Sequence, residues 1–212
     1  GNNMIERAVI FDLDGTLWDS SVQVIEAWNS IIKKYPETKA VVTPEKMATY
    51  MGKVLEEISA MLFDDISKDR GLEIMTECSD YELEYLKDHS GVPYEDLEET
   101  LKALPYPLFI VSNCQSGYIE TFLECCGLGK YFKDFECSGN TGNPKGENIL
   151  EIIRRNEIKN AVYVGDTQGD CNASQVAGIP FIFAEYGFGN ADRFNRKIKS
   201  IKELTEINLF EN

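Results

Sequence analysis

Two carboxylates near the amino terminus are the first residues in this sequence that could do chemistry. Asp12 and Asp14 follow a short apolar run over residues 8–11 and are followed by Gly15 and Thr16. A short apolar run bounded by turn residues predicts a buried strand of a parallel sheet. Asp12 then stands at the carboxyl end of that strand, where open α/β sheets bind their ligands. The plain alternative is a turn in which aspartate serves only as a turn former.

Polar residues recur at the ends of other predicted elements. Two more apolar runs, at 108–111 and 161–164, predict buried strands, and each ends in polar side chains. A lysine stands at the start of the helix that follows the third strand. These residues are Ser112, Asn113, Lys145, Asp166 and Asp170. Each could be a turn or a helix cap on its own, but the carboxyl ends of parallel strands share one sheet edge, so we expect the side chains to converge.

Electrostatics points to a bound cation at this edge. Two carboxylates ~4 Å apart repel by about 4 kcal/mol at an effective dielectric constant of 20, and one lysine cannot neutralise four aspartates. Either some aspartates are protonated or a cation binds. Oxygen ligands with no histidine or cysteine beside them favour Mg²⁺. A metal next to a lysine, a serine hydroxyl and loop N–H groups would form a cradle for a phosphoryl group, with Asp12 as a candidate nucleophile.

The elements that must position these residues read as an α/β fold with a helical insert. Strands and helices alternate in the carboxyl-terminal part of the chain, which predicts a Rossmann-like, doubly wound parallel sheet of five strands. We assign this core to residues 1–17 and 92–212. Residues 18–91 show helical periodicity only, and we expect an all-helical domain of three to four helices and no strand. Ser20 and Gln23 predict a capping box at its first helix.

Composition excludes several classes of function. The chain has 212 residues and a net charge of −15, which argues against nucleic acid or an anionic membrane surface as a partner. A small anionic substrate stays possible, because a local cation or helix N-terminus overrides the distant field. No apolar stretch is long enough for a membrane span and no signal peptide opens the sequence, so we expect a cytoplasmic protein. The six cysteines lack zinc spacing and are expected to be reduced.

These motifs resemble, in order, the four motifs of the haloacid dehalogenase (HAD) superfamily. The matching segments are 12–16, 112–113, Lys145 and 165–170. The helical insert resembles the C1-type cap of phosphoglycolate phosphatases and β-phosphoglucomutases in its placement and helicity. One detail departs from the family pattern: Pro144 precedes Lys145, whereas in the family the proline often follows the lysine.

The resemblance implies a role for each residue. Asp12 would attack phosphorus and hold Mg²⁺. Asp14 would protonate the leaving oxygen and then activate water, and its backbone carbonyl would also bind the metal. The remaining residues would bind the phosphoryl group or complete the metal site: Ser112, the Asn113 N–H and Lys145 for phosphoryl oxygens, Asp166 for Mg²⁺, and Asp170 in support.

The expected function is therefore a Mg²⁺-dependent phosphatase that acts on a small phosphorylated metabolite. Asp14 favours C–O–P hydrolysis, because the dehalogenases and phosphonatases of the superfamily lack an aspartate at that position. A sugar phosphomutase of the β-phosphoglucomutase type shares every core residue and stays open, as does a non-catalytic phosphoacceptor on the same scaffold. Substrate selection is expected in the helical insert, where Lys53 is one candidate. The sequence does not indicate an oligomeric state.

Overall fold

A six-stranded parallel sheet forms the centre of the computed structural model, which describes residues 3–210. Its spatial order is β5-β4-β1-β6-β7-β8, and β2 and β3 form a separate antiparallel pair. In chain order the strands are β1 (Ile5–Phe11), β2 (Trp18–Asp19), β3 (Val92–Pro93), β4 (Leu108–Ser112), β5 (Phe132–Cys137), β6 (Ile158–Gly165), β7 (Phe181–Ala184) and β8 (Arg196–Ile198). The carboxyl ends of β1, β4 and β6, which are neighbours in the sheet, therefore share one edge.

Helices cover both faces of this sheet, as a doubly wound fold requires. Along β1, Val9 and Phe11 pack into one apolar cluster, while Ala8 and Ile10 pack into another on the opposite face. The helices are α1 (Ser21–Ile32), α2 (Pro44–Tyr50), α3 (Leu55–Leu62), α4 (Lys68–Asp88), α5 (Leu97–Ala103), α6 (Tyr118–Cys126), α7 (Ser138–Thr141), α8 (Lys145–Arg155) and α9 (Gln168–Ala177). The predicted Rossmann-like α/β architecture is confirmed.

Helices α1 to α4 form an insert between the paired strands β2 and β3. A third apolar cluster, whose buried members run from Val24 to Cys78, lies entirely within this insert. The insert thus has a hydrophobic core of its own, and the chain leaves and re-enters the sheet domain through two adjacent strands. None of the described helices combines the length and the apolar character that a membrane crossing demands.

Three local predictions were wrong. Residues 18–91 do contain a strand, β2, which is only two residues long and whose partner lies beyond the insert. The three-residue edge strand β8 was missed because it is too short to show an alternating pattern. Ser20 makes no side-chain cap at the start of α1, since its hydroxyl lies 2.6 Å from the Tyr118 hydroxyl in another hydrogen-bond cluster.

Candidate active site

The first candidate residue, Asp12, is held rigidly at the carboxyl end of β1. Its side chain is buried, and its backbone N–H donates to the Val164 carbonyl over 2.9 Å, which extends the ladder between β1 and β6. The chain then turns at Gly15, whose φ is +80°. A Cβ at Gly15 would lie 2.0 Å from Oδ2 of Asp166, so glycine is required both for the turn and for close approach to the neighbouring strand end.

A buried lysine bridges two of the aspartates. Lys145 is the first residue of α8, and its Nζ lies 3.2 Å from Oδ1 of Asp12 and 2.5 Å from Oδ1 of Asp170. Burial alone would lower the pKa of Lys145, but the two carboxylates outweigh it and raise that pKa above its usual range. Burial likewise opposes ionisation of Asp170, yet the lysine keeps the pKa of Asp170 below its ordinary value. The two form a charged pair.

Asp170 also shapes the loop that follows β6. Its Oδ2 accepts the backbone N–H groups of Asp166 (2.9 Å) and Thr167 (3.1 Å), and with Thr167 it completes the capping box of α9. Asp170 therefore caps α9 and also contacts the buried lysine. One oxygen fixes the loop and the other orients the lysine.

The Asp166 carboxylate is held by groups from two different segments. Thr16 donates its hydroxyl to Oδ1 over 3.2 Å, and the Phe188 backbone N–H donates to Oδ2 over 2.8 Å. Gly187 permits the second contact, because a Cβ there would lie 2.4 Å from Oδ2 of Asp166. This loop after β7 was not predicted to contribute, and only its two glycines around Phe188 could have drawn attention to it.

The acidic groups exceed what the lysine can neutralise. Burial, followed by the charge of Asp170, raises the pKa of Asp12 well above its ordinary value and that of Asp166 to about 7. Ligand oxygens of Asp12, Asp166 and Asp170 all lie within 4.8 Å of one another. Within residues 3–210, Oδ2 of Asp12 is buried and finds no hydrogen-bond partner. A hard divalent cation fits this oxygen-only group, since it would partner that oxygen and stabilise the ionised carboxylates.

Asp14 stands apart from this cluster and is oriented by a different set of donors. Its Oδ1 accepts hydrogen bonds from the Tyr118 hydroxyl (2.6 Å), the Trp18 indole N–H (3.1 Å) and the Ser20 hydroxyl (3.4 Å). Burial raises the pKa of Asp14 to about 6, and these hydrogen bonds limit the rise. The donors come from β2, the turn before α1, and α6. Tyr118 carries no signal in the sequence that would have identified it.

Ser112 and Asn113 lie at the end of β4, facing the same cavity as the first two aspartates. The Ser112 hydroxyl is buried and accepts the backbone N–H of Cys114 over 3.3 Å. The side chain of Asn113 bridges the two parts of the molecule, because its Nδ2 donates to the Gly52 carbonyl in the insert over 2.9 Å. The structure therefore brings all the predicted site residues to one edge of the sheet.

A cavity of about 60 Å³ separates this edge from the insert. Asp12, Asp14 and Ser112 line its sheet side, and residues of α1 to α4 line the other. Lys53 reaches it from the turn between α2 and α3. His89, the single histidine, is not among the lining residues and instead stacks on Tyr85 at the end of α4.

Comparisons with known proteins identify the family and the fold. The sequence model of the haloacid dehalogenase-like hydrolases matches residues 9–184. A protein of Aquifex aeolicus named phosphoglycolate phosphatase is 26% identical over 188 residues, which cover 86% of each chain. A solved haloacid dehalogenase-like hydrolase of Bacteroides fragilis superposes with a TM-score of 0.82 at 23% identity, covering 94% of this chain and 99% of that one. CbbY of Rhodobacter sphaeroides, solved with phosphate, gives a TM-score of 0.79 at 16% identity, covering 95% of this chain and 96% of that one.

Proposed function

This chain belongs to the haloacid dehalogenase-like hydrolase family, and on that premise we propose that it is a Mg²⁺-dependent phosphatase that hydrolyses a small phosphate monoester through an aspartyl-phosphate intermediate. One observation carries the proposal. A buried aspartate with an unpartnered oxygen, Asp12, lies beside Lys145 and lines the same cavity as a second carboxyl, Asp14, whose pKa is about 6. A nucleophile and a proton carrier therefore line one cavity, and a lysine lies beside the nucleophile.

The two aspartates divide the chemistry between them. A carboxylate oxygen of Asp12 attacks phosphorus, the ester P–O bond breaks, and Asp14 gives its proton to the departing oxygen. Asp14 then removes a proton from a water molecule that attacks the same phosphorus, which breaks the bond to Asp12 and releases inorganic phosphate. A pKa of about 6 suits this double role, because both protonation states are accessible near neutral pH.

Other residues would hold the phosphoryl group and the metal. We assign Ser112, the Asn113 N–H and Lys145 to the phosphoryl oxygens. Asp12 and Asp166 would bind Mg²⁺ together with the Asp14 carbonyl, while Asp170 supports the site through the loop and the lysine. When bound, the ion would neutralise negative charge on the phosphoryl oxygens and on the aspartates.

The insert, residues 18–91 in our assignment, would act as a cap over the reaction. The hydrogen bond from Asn113 to Gly52 and the cavity between the sheet edge and the insert support this role. A closed cap excludes bulk water and favours small substrates over proteins. The relatives named phosphoglycolate phosphatase make 2-phosphoglycolate one substrate to test.

The proposal is tested by hydrolysis of a generic aryl phosphate with and without Mg²⁺. We expect metal-dependent release of phosphate, which Asp12→Asn abolishes, while Asp88→Asn on the exposed end of α4 retains it. No hydrolysis across a panel of phosphate esters would refute the phosphatase. A stable phosphoaspartate with slow turnover would indicate the phosphoacceptor, and sugar-phosphate isomerisation that needs a bisphosphate activator would indicate the mutase.

A further inference from the structure

The insert side of the cavity contains one buried carboxyl among apolar side chains. Glu82 on α4 is 6% exposed and lines the cavity. Its Oε1 accepts the indole N–H of Trp28 over 2.6 Å, and its Oε2 accepts the side-chain amide of Gln115 over 3.3 Å. The surrounding wall is apolar: Val24, Met47, Tyr50, Leu55 and Ile58. Glu82 is therefore a buried polar group in a wall that is otherwise mostly apolar.

With the phosphoryl group at Asp12, the leaving group of the proposed reaction would extend toward the insert side of the cavity, where Glu82 lies. Asp14, which delivers a proton to the leaving oxygen in the proposed reaction, is the charged group with the largest effect on the pKa of Glu82. Burial first, and Asp14 second, raise the pKa of Glu82 to about 8. The phosphoryl group itself belongs at Asp12 and Lys145, on the sheet side of the cavity.

Positive charge is scarce around that leaving group. Among the described residues that line the cavity, Lys53 is the only cation. Lys53 follows Gly52. The Gly52 carbonyl accepts a hydrogen bond from Asn113, and a Cβ at Gly52 would lie 3.6 Å from Thr167. The turn that carries Lys53 therefore lies against the loops that follow β4 and β6. A carboxylate on the leaving group would meet the charge of Asp14 and, above the pKa of about 8, that of Glu82 as well, with Lys53 as the only cation among the described lining residues, which is costly.

We infer that the cavity accepts a phosphate monoester of a small alcohol that carries no negative charge and ends in a hydroxyl or ammonium group, which donates a hydrogen bond to Glu82. This inference rests on the proposed phosphatase function and names its substrate class. The apolar wall contacts the carbon part of the alcohol. A glycolate ester, with its terminal carboxylate, is disfavoured by the same charges.

Three esters of nearly equal size test the inference: 2-hydroxyethyl phosphate, 2-aminoethyl phosphate and 2-phosphoglycolate. They differ only in whether the far end is neutral, positive or negative. We expect kcat/KM for the first two to exceed that for 2-phosphoglycolate by about tenfold or more, since one misplaced buried charge costs at least that factor. Hydrolysis of an aryl phosphate is measured in parallel. Absence of that activity would contradict the proposed phosphatase function, whereas an unexpected order among the three esters would contradict only the substrate class.

Variants separate a specificity role of Glu82 from a structural one. At pH 9, above the pKa of about 8 at which Glu82 ionises, Glu82→Gln keeps the shape and removes the charge, so we expect it to raise kcat/KM for 2-phosphoglycolate and to lower it for 2-aminoethyl phosphate, each by about tenfold. Glu84→Gln, exposed on the same helix, should leave the ratio unchanged. A wild-type preference for 2-phosphoglycolate, or an equal effect of Glu82→Gln on all three esters, would overturn the inference.

Calorimetric binding of the three esters to the Asp12→Asn variant gives a second readout that needs no turnover. The same order of affinities is expected, with 2-phosphoglycolate the weakest ligand. If 2-phosphoglycolate binds as tightly as the other two, the inference is wrong even where aryl phosphate is hydrolysed.

Discussion

Single side chains in this site are set by the partners that surround them. Asp14 and Asp166 are both buried carboxyls, yet Asp14 receives three side-chain donors on one oxygen while Asp166 receives a hydroxyl and a backbone N–H on opposite oxygens. The arrangement around Asp14 leaves its Oδ2 outside that donor set. Tyr118 is the shortest of these contacts and therefore the best residue on which to test how Asp14 is positioned.

Replacing Tyr118 by phenylalanine should raise the pKa of Asp14. The Tyr118 hydroxyl stabilises the Asp14 carboxylate by donating a hydrogen bond. Without that hydroxyl, fewer donors oppose the rise in pKa that burial causes. Since Asp14 must be ionised to activate water, we expect the acidic limb of the pH–rate profile to move upward by about one pH unit. Tyr131→Phe, which removes an exposed hydroxyl bonded to Glu98, is the matched control. An unchanged acidic limb would show that Tyr118 does not position Asp14.

The stability of Glu82→Gln relative to the wild type should increase as the pH rises. Burial raises the pKa of Glu82 from its ordinary 4.5 to about 8, so between these values the folded state keeps a proton that the unfolded state has lost. Raising the pH through this window then destabilises the folded wild type by up to about 1.4 kcal/mol per unit. Below pH 4.5 the term is absent. Urea denaturation from pH 5 to 8 should show the stability difference between variant and wild type growing with pH, and a constant difference would contradict the assignment.

The site residues at the ends of strands could be predicted from the sequence, whereas those on the insert helix and in the loop after β7 could not. Asp12, Ser112 and Asp166 were predictable because each follows an apolar run, and parallel strands place their carboxyl ends at one edge. Glu82 was not, because its insert helix shows amphipathic periodicity but not which residues of its buried face meet the cavity. Gly187 was not, since its contact with Asp166 depends on a loop far away in sequence.

Gly187→Ala should disturb Asp166 without touching the other aspartates. A Cβ at this position would lie 2.3 Å from Cβ of Asp166 and 2.4 Å from the Gly15 carbonyl, so the carboxylate or the loop must move. A displacement of about 1 Å at a reacting group can cost a hundredfold in rate, and we expect a fall of about that size in kcat/KM. Gly129→Ala has open space around its Cβ and serves as the control.

Circular dichroism at the assay temperature would establish that both glycine variants are folded. Equal activity of Gly187→Ala and Gly129→Ala would mean that the loop after β7 does not hold Asp166 in the working enzyme.

The negative charge of the whole molecule includes a buried cluster of carboxylates, which lowers the stability of the fold. The chain carries a net charge of −15, and three of its carboxylates lie buried within 4.8 Å of one another with a single lysine. Such a site stores repulsion in the metal-free protein. A divalent cation that binds only the folded state would relieve it and stabilise the whole fold.

Added Mg²⁺ should therefore raise the melting temperature. At a hundredfold excess over Kd the gain is about 2.7 kcal/mol, which corresponds to about 5–10 °C for a chain of this size. Asp166→Asn should remove most of the shift and should itself melt higher than the wild type in the absence of metal, because it removes one repelling charge. A sodium salt of equal ionic strength separates specific binding from screening. A shift that survives in Asp166→Asn would place the metal elsewhere.

The pairing of β2 with β3 has a consequence for how this molecule could diversify. Asp19 and Val92 lie opposite each other, so the chain departs to the insert and returns from it at one point. The insert has its own apolar core, and Asp12, Lys145 and Asp166 all lie outside it. One helical module could be exchanged for another, or shortened to a hairpin turn, without moving either end of the junction. New substrate specificities could then be acquired by recombination at the β2–β3 junction, while the catalytic residues of the sheet domain stay unchanged.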